Sequence, residues 1–179
     1  MREHLDAAGN GRVRPIREAT VPIAVPATRF AVTQETFEYQ TEHALQFIDI
    51  TEQVRAAVER AGIVAGQVSV NSMHTTAAVI VNEHEPLLLN DMARVLSRLA
   101  PPGDYYEHND FSIRTVNMHD DEPANGHAHC QHLFLGASVT VPIHDGQMIL
   151  GSWQSIFFVE LDHARPRSVL VQAMGLVAE

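Results

Sequence analysis

The stretch NGHAHCQH at residues 125–132 holds three histidines, an asparagine and the single cysteine of the chain. Such a set suits three chemistries: metal ligation by neutral imidazoles, a thiol nucleophile with its base, or proton transfer in a polar pocket. Read as an extended segment over 127–134, alternation sends His127 and His129 to one face and Cys130 and His132 to the other. The two histidines then converge on one ligand, and the thiol points away from them as a small buried apolar side chain. Metal ligation needs more than this pair, and CQHLFLGA, which follows His129, contains no carboxylate. Further ligands would come from His74, Asp121 or Glu160, and hydrogen-bonded pocket histidines stay open as the other reading. Glu160 closes the largely apolar run SIFFVE, where a carboxylate is costly to bury unless paired, so a histidine or a metal is its expected partner. The remaining histidines of interest are His74 and His84 in MHTTAAVIVNEHE and His108 in YYEHND.

Alternating short elements must position these groups. TRFAVTQETFEYQ (28–40) is rich in β-branched and aromatic residues and reads as a strand. In DITEQVRAAVERAG, Asp49 and Glu52 form a capping pair, Val54, Ala57, Val58 and Ala61 share a helical face, and Gly62 stops the helix. GQVSVNS and AAVIVNE read as strands on either side of Met73 to Thr76. Pro86 suits a first helical position, and Leu88, Met92, Val95 and Leu99 follow as a core-facing stripe before APPG ends the helix. A loop over 101–130 comes next, long enough to suggest a binding segment. The last third reads as strand (ASVTVPI), an Asp145-Gly146 turn, strand (QMILGSWQSIFFVEL), an arginine-rich loop, and strand (SVLVQAMG). In this reading His144 is an exposed turn residue. Two helices among mostly hairpin-connected strands predict an α+β single domain with a large, mostly antiparallel, barrel- or sandwich-like sheet.

Composition narrows the chemistry. A chain of 179 residues is about one domain. A formal charge of -10 disfavours nucleic acid and anionic membrane as partners. One cysteine fits a reducing compartment, with the cytoplasm as the default. All twelve basic residues are arginine, so Schiff-base chemistry on the protein's own amine and a P-loop lysine are both excluded. Residues 1–27, charged and broken by Pro15, Pro22 and Pro26, read as an N-terminal extension without a signal peptide or spanning helix, leaving 28–179 as the domain.

HTTAAVIVNE, YYEH, NGHAHC, VPIHDGQMILGSWQSIFFVELD and RPRSVLVQAMG occur in an order and spacing that resembles the YjbQ family, over roughly 28–177. The resemblance implies a compact α+β protein that assembles as a homotrimer, and a secondary thiamine-phosphate synthase activity. That activity joins hydroxymethylpyrimidine diphosphate to thiazole phosphate and yields thiamine phosphate and pyrophosphate. The family's motif positions fall on His74, Thr75, Thr76, Asn82, Glu83, Asp91, His108, Asn125, Ala128, His129, Gly151, Trp153, Gln154 and Glu160. The segment 109–124 is longer and more charged than the family's usual run before the asparagine, and the N-terminal extension is a second departure.

Displacing diphosphate requires cations and flat surfaces: Mg²⁺ on carboxylates or arginine forks from Arg114, Arg165 and Arg167, and a stacking face from Trp153. Gln154, Asn82 or Glu83 would read an aminopyrimidine edge, and His74 and His129 would move protons or orient a phosphate. This makes His74, Glu83, His129 and Glu160 the catalytic candidates. Thr75, Thr76, Asn82, Asp91, His108, Asn125, His127, Trp153, Gln154 and Arg165 are the substrate-binding ones. Each also has a structural reading: Trp153 as a packed aromatic, Glu83 as a helix-start carboxylate, Asp91 as the partner of Arg94, the threonines as strand and turn formers. Two other classes compete, a metal-dependent hydrolase or isomerase on His74, His129 and Glu160, and a non-catalytic protein that binds a heterocycle or phosphometabolite.

Overall fold

The computed structural model describes residues 28–119 and 121–178, so the expected N-terminal extension lies outside the described residues. The elements run β1 (Thr28–Gln40), β2 (Gln46–Asp49), α1 (Thr51–Ala61), β3 (Ile63–Ser72), β4 (Ala77–Glu83) and α2 (Pro86–Leu99). A single 3-10 turn (Glu107–Asn109) follows, then α3 (Gly126–Leu135), β5 (Ser138–His144), β6 (Gln147–Met148), β7 (Gln154–Glu160) and β8 (Pro166–Ala178). All strand pairs are antiparallel. They form one sheet in the order β1-β8-β3-β5-β6 and a second in the order β2-β7-β4. The expected α+β class with a mostly antiparallel, barrel- or sandwich-like sheet is the observed one, built as two antiparallel sheets and, among the described residues, with three helices instead of two.

Layering explains the hydrophobic patterns. The inner face of the larger sheet, through Val68, Val70, Val141, Val169 and Val171, packs on α1 and on Val79, Ile156 and Phe158 of the smaller sheet. The other face of the smaller sheet is covered by α2 and α3, where Ala78, Phe157 and Val159 meet Leu96 and Ala128. β7 is therefore buried on both sides, which is why SIFFVE reads as a continuous apolar run and not as an alternation. Glu160 continues that strand into the interior, and Arg167 holds an inward position on β8.

Four expectations about the elements need correction. Residues 126–135 are helical, not extended: Ala128, Gln131 and Leu135 recur at helical spacing against the second core, and Gln131 Nε2 donates to the Leu96 and Ala100 carbonyls that end α2. Asp49 does not form a capping pair with Glu52. Ile50 is the N-cap residue, and Asp49 Oδ1 accepts from the Thr51 N–H (2.9 Å) and hydroxyl (2.6 Å). The helix stop at Gly62 holds, with φ 64°. On α2 the stripe of Leu88, Met92, Val95 and Leu99 is not core. Glu85 caps the helix through Leu87 and Leu88 N–H, Leu96 faces the interior, and Val95 and Leu99 border an apolar groove with Phe47, Ile80 and Phe134. Finally, QMILGSWQSIFFVEL is two strands in different sheets, β6 and β7, separated by a bend at 149–153.

Candidate functional site

One end of the molecule gathers four segments: the β3–β4 turn, the β7–β8 connection, the start of α3, and the stretch 107–123. Between them lies a cavity of about 690 Å³. His74, Thr75, Thr76, His108, Asn125, His129 and Arg165, all named from the sequence, line it. Arg114, Arg167, Asn117, His119, Asp121, Glu122 and His163 do so as well.

α3 enters the site closely packed on the 3-10 turn. A Cβ on Gly126 would stand 2.6 Å from Tyr106 Cβ, and Gly126 N–H donates to Asn109 Oδ1 at 2.8 Å. This approach brings the His108 and His129 rings into edge contact at 4.6 Å between centroids. Burial holds His129 below the ordinary histidine pKa, helped by His108 beside it and opposed by Asp162. Asn125, at the N-cap of α3, makes no cap bond, because its Nδ2 donates to Asp162 Oδ2 at 3.1 Å. Burial raises the Asp162 pKa, but hydrogen bonds from His163 and Asn125 and the Arg165 charge outweigh it and leave the carboxyl below its usual range.

His74 is fixed from behind. The Ser168 N–H donates to its Nε2 at 2.7 Å, so in the neutral ring the proton sits on Nδ1. Burial first, then the Arg167 charge, lowers its pKa. Thr76 is buried and its hydroxyl accepts from Arg167 at 3.0 Å, so it braces the turn, whereas Thr75 is exposed on the cavity wall.

Several sequence expectations fail here. Two residues apart on a helix is about 200°, so His127 and His129 diverge. His127 is buried away from the cavity with Nδ1 unpartnered and its pKa lowered by burial, and Cys130 is exposed, not buried. The partner of Glu160 is Arg167, at 2.6 Å from Nε to Oε2, not a histidine or a metal. Thr41 Oγ1 and Asp162 N–H also donate to that carboxylate, both at 2.9 Å. With Glu160 so occupied and His74 Nε2 accepting a backbone proton, the set His74, His129 and Glu160 does not fit a resident metal ion. Among the described residues no group of three or more metal-ligating side chains is assembled.

The arginines proposed for diphosphate are already engaged: Arg114 with Glu122 and three main-chain carbonyls, Arg165 with Asp162, Arg167 with Glu160. Asn82, Glu83, Asp91, Trp153 and Gln154 are not brought to the cavity within one chain. Asn82 and Asp91 edge the apolar groove, Asp91 pairs with Arg94, and Gln154 Oε1 accepts from Gly151 N–H. Glu83 is exposed, and Trp153, expected to pack or stack, is 75% exposed. His144, expected to be idle, is half-buried. Sequence reasoning missed Asp162 and His163, although DHARPR directly after an apolar strand was a usable signal, and it missed Thr41, whose partners lie more than a hundred residues away.

Three polar atoms of cavity-lining residues are buried without a hydrogen-bond partner: His108 Nε2, Asn125 Oδ1 and Arg165 Nε. Buried polar atoms are ordinarily satisfied, so these three are spare hydrogen-bonding capacity within the cavity wall.

Comparison with known proteins agrees with the motif pattern. The family described as UPF0047 protein YjbQ-like matches residues 35–176. A UPF0047 protein of Methanothermobacter thermautotrophicus is 38% identical over 143 residues, covering 80% of this chain and 92% of the relative. YugU of Bacillus subtilis is 32% identical over 142 residues, covering 79% and 98%. Among solved structures, a YbjQ-like protein from Sulfolobus solfataricus P2 superposes with a TM-score of 0.74 at 33% identity, covering 82% of this chain and 99% of that one. A protein from Aeropyrum pernix K1 gives 0.71 at 36%, covering 80% and 98%. With its motifs, fold and these matches in agreement, the chain belongs to the YjbQ/UPF0047 family.

Proposed function

We propose that the cavity is the active site of a small-molecule enzyme acting on a phosphorylated heterocycle, with transfer of the thiamine-phosphate synthase type as its reaction. The observation that carries this reading is the gathering of His74, His108, Asn125, His129 and Arg165 around one cavity, with the pKa values of His74 and His129 lowered chiefly by burial. The His108 and His129 rings meet at 4.6 Å between centroids, and His129, its pKa lowered by burial, is the proton carrier with His108 as its neighbour. The Arg165 guanidinium and His74 Nδ1 are donors for phosphate oxygens, and Asn125 is the amide in the wall nearest a heterocycle's polar edge. Because each cavity guanidinium has a carboxylate partner, anion binding here relies on aimed N–H groups more than on net charge. Mg²⁺ would arrive with a diphosphate substrate, with Asp121 as the acid on the cavity wall. The assembly proposed with this reading is a cytoplasmic homotrimer acting on small molecules, without nucleic-acid or membrane partners. No helix among the described residues is long and apolar enough to cross a membrane.

The test supplies hydroxymethylpyrimidine diphosphate, thiazole phosphate and Mg²⁺ to the full chain and follows thiamine phosphate. Product from the wild type, lost in His129→Ala with the melting temperature retained, supports the reading. Product at equal rates in both rejects it. A ligand that raises the melting temperature without turnover favours the binding-protein alternative.

A further inference from the structure

One wall of the cavity is backed by a buried charged pair, Glu160 and Arg167, of which Arg167 borders the cavity. Glu160 is fully buried and Arg167 nearly so, and the guanidinium grips the carboxylate through Nε and a terminal nitrogen. Thr41 Oγ1 and Asp162 N–H donate to the same carboxylate. A buried ion pair contributes little net stability compared with apolar packing of the same volume, so its retention invites a role in specifying geometry. The terminal guanidinium nitrogen that binds Glu160 also supplies that role. Arg167 donates to Thr76 Oγ1 at 3.0 Å, while the next residue, Ser168, donates its N–H to His74 Nε2 at 2.7 Å and accepts from Met73 N–H at 3.2 Å. Two adjacent residues of β8 therefore hold both ends of the 73–76 turn.

We propose that the Glu160–Arg167 pair, braced by Thr41 and Thr76, is a positioning device that fixes this turn so that His74 faces the cavity as an Nδ1–H donor. His74 is then neither a base through Nε2 nor a metal ligand through it; it gives a hydrogen bond to a substrate oxygen. Glu160, Arg167 and Thr41 are positioning residues, not catalytic ones. The use of that donor rests on the cavity being the substrate site, but the geometry does not.

The experiment is nitrogen-15 NMR of the full chain, with the His74 ring signals identified by their loss in His74→Gln. The wild type is expected to show unprotonated Nε2 and protonated Nδ1 over the neutral range. Thr76→Val, which removes one hydroxyl, and Arg167→Lys, which keeps the charge and loses the fork, should each give mixed tautomers. The charged groups acting on the ring are Arg167, Arg165 and Glu160. Glu160→Gln removes the one that favours the imidazolium, so the acid midpoint of His74 should move down. A wild-type ring protonated on Nε2 overturns the proposal, as does an unchanged tautomer in folded Thr76→Val and Arg167→Lys. Should Arg167→Lys fail to fold, Thr76→Val decides alone. Turnover plays no part in this readout, so a fixed tautomer without activity on thiamine precursors would reject the functional reading and leave the positioning role standing.

Discussion

At the scale of single residues, Glu160 shows how burial changes the meaning of a side chain. A carboxylate at the end of an apolar strand requires a partner, and the partner here is a guanidinium seven residues on. Glu160→Ala should therefore destabilise the fold by about 3–5 kcal/mol, since it leaves Arg167 charged and unpaired in the interior. Urea unfolding checks this: an unchanged midpoint together with lost activity would return Glu160 to the catalytic set. The histidines show the opposite case. His108 and His129 are packed against each other at the cavity wall, and His108 Nε2 keeps no partner there.

At the scale of elements, the site depends on how closely α3 meets the 107–109 turn. Gly126 allows that approach, and Gly126→Ala would press a methyl group into Tyr106 and push the His108 turn away from His129. The expected outcome is a loss of about 1–3 kcal/mol in stability and a lower turnover number in the proposed reaction. Thermal unfolding and steady-state kinetics measure the two effects, and a substitution that leaves both unchanged removes Gly126 from the account. The same element explains the largest misreading of the sequence. GHAHCQHLFL has a weak helix signature, because between Ala128 and Leu135 its inward face is carried by Gln131 in place of a large apolar side chain.

At the scale of the whole molecule, four histidines, His74, His127, His129 and His132, have pKa values lowered chiefly by burial. For a histidine held below its unfolded value, the unfolded chain binds the proton first, so stability is complete above about pH 6.5 and falls as the pH drops toward the folded values. The melting temperature should decline through this range, before Asp49 and Asp162, with their lowered pKa values, begin to protonate. A flat profile between pH 7 and 5 would contradict it. The exposed apolar groove bounded by Val95, Leu99 and Phe134 belongs to the proposed homotrimer as a surface to be covered. Analytical ultracentrifugation should give a trimer for the wild type and smaller species for Phe134→Asp, and a monomeric wild type would end that proposal.

Local chemistry was enough to read β1, the α1 stop at Gly62, the Pro86 start of α2 and the Asp145-Gly146 hairpin, since each depends on neighbours in sequence. The family pattern was legible from its short motifs, which named His74, His108, Asn125 and His129, while the convergent set read from the residues, His74, His129 and Glu160, loses Glu160 to Arg167. Only the tertiary structure decided that Glu160 belongs to Arg167, that Thr76 faces inward, and that Trp153, Asn82 and Asp91 stand apart from the cavity. Those outcomes depend on which strands become neighbours and which faces are covered, and pairings between residues more than a hundred positions apart, such as Thr41 with Glu160, leave no local trace in the chain.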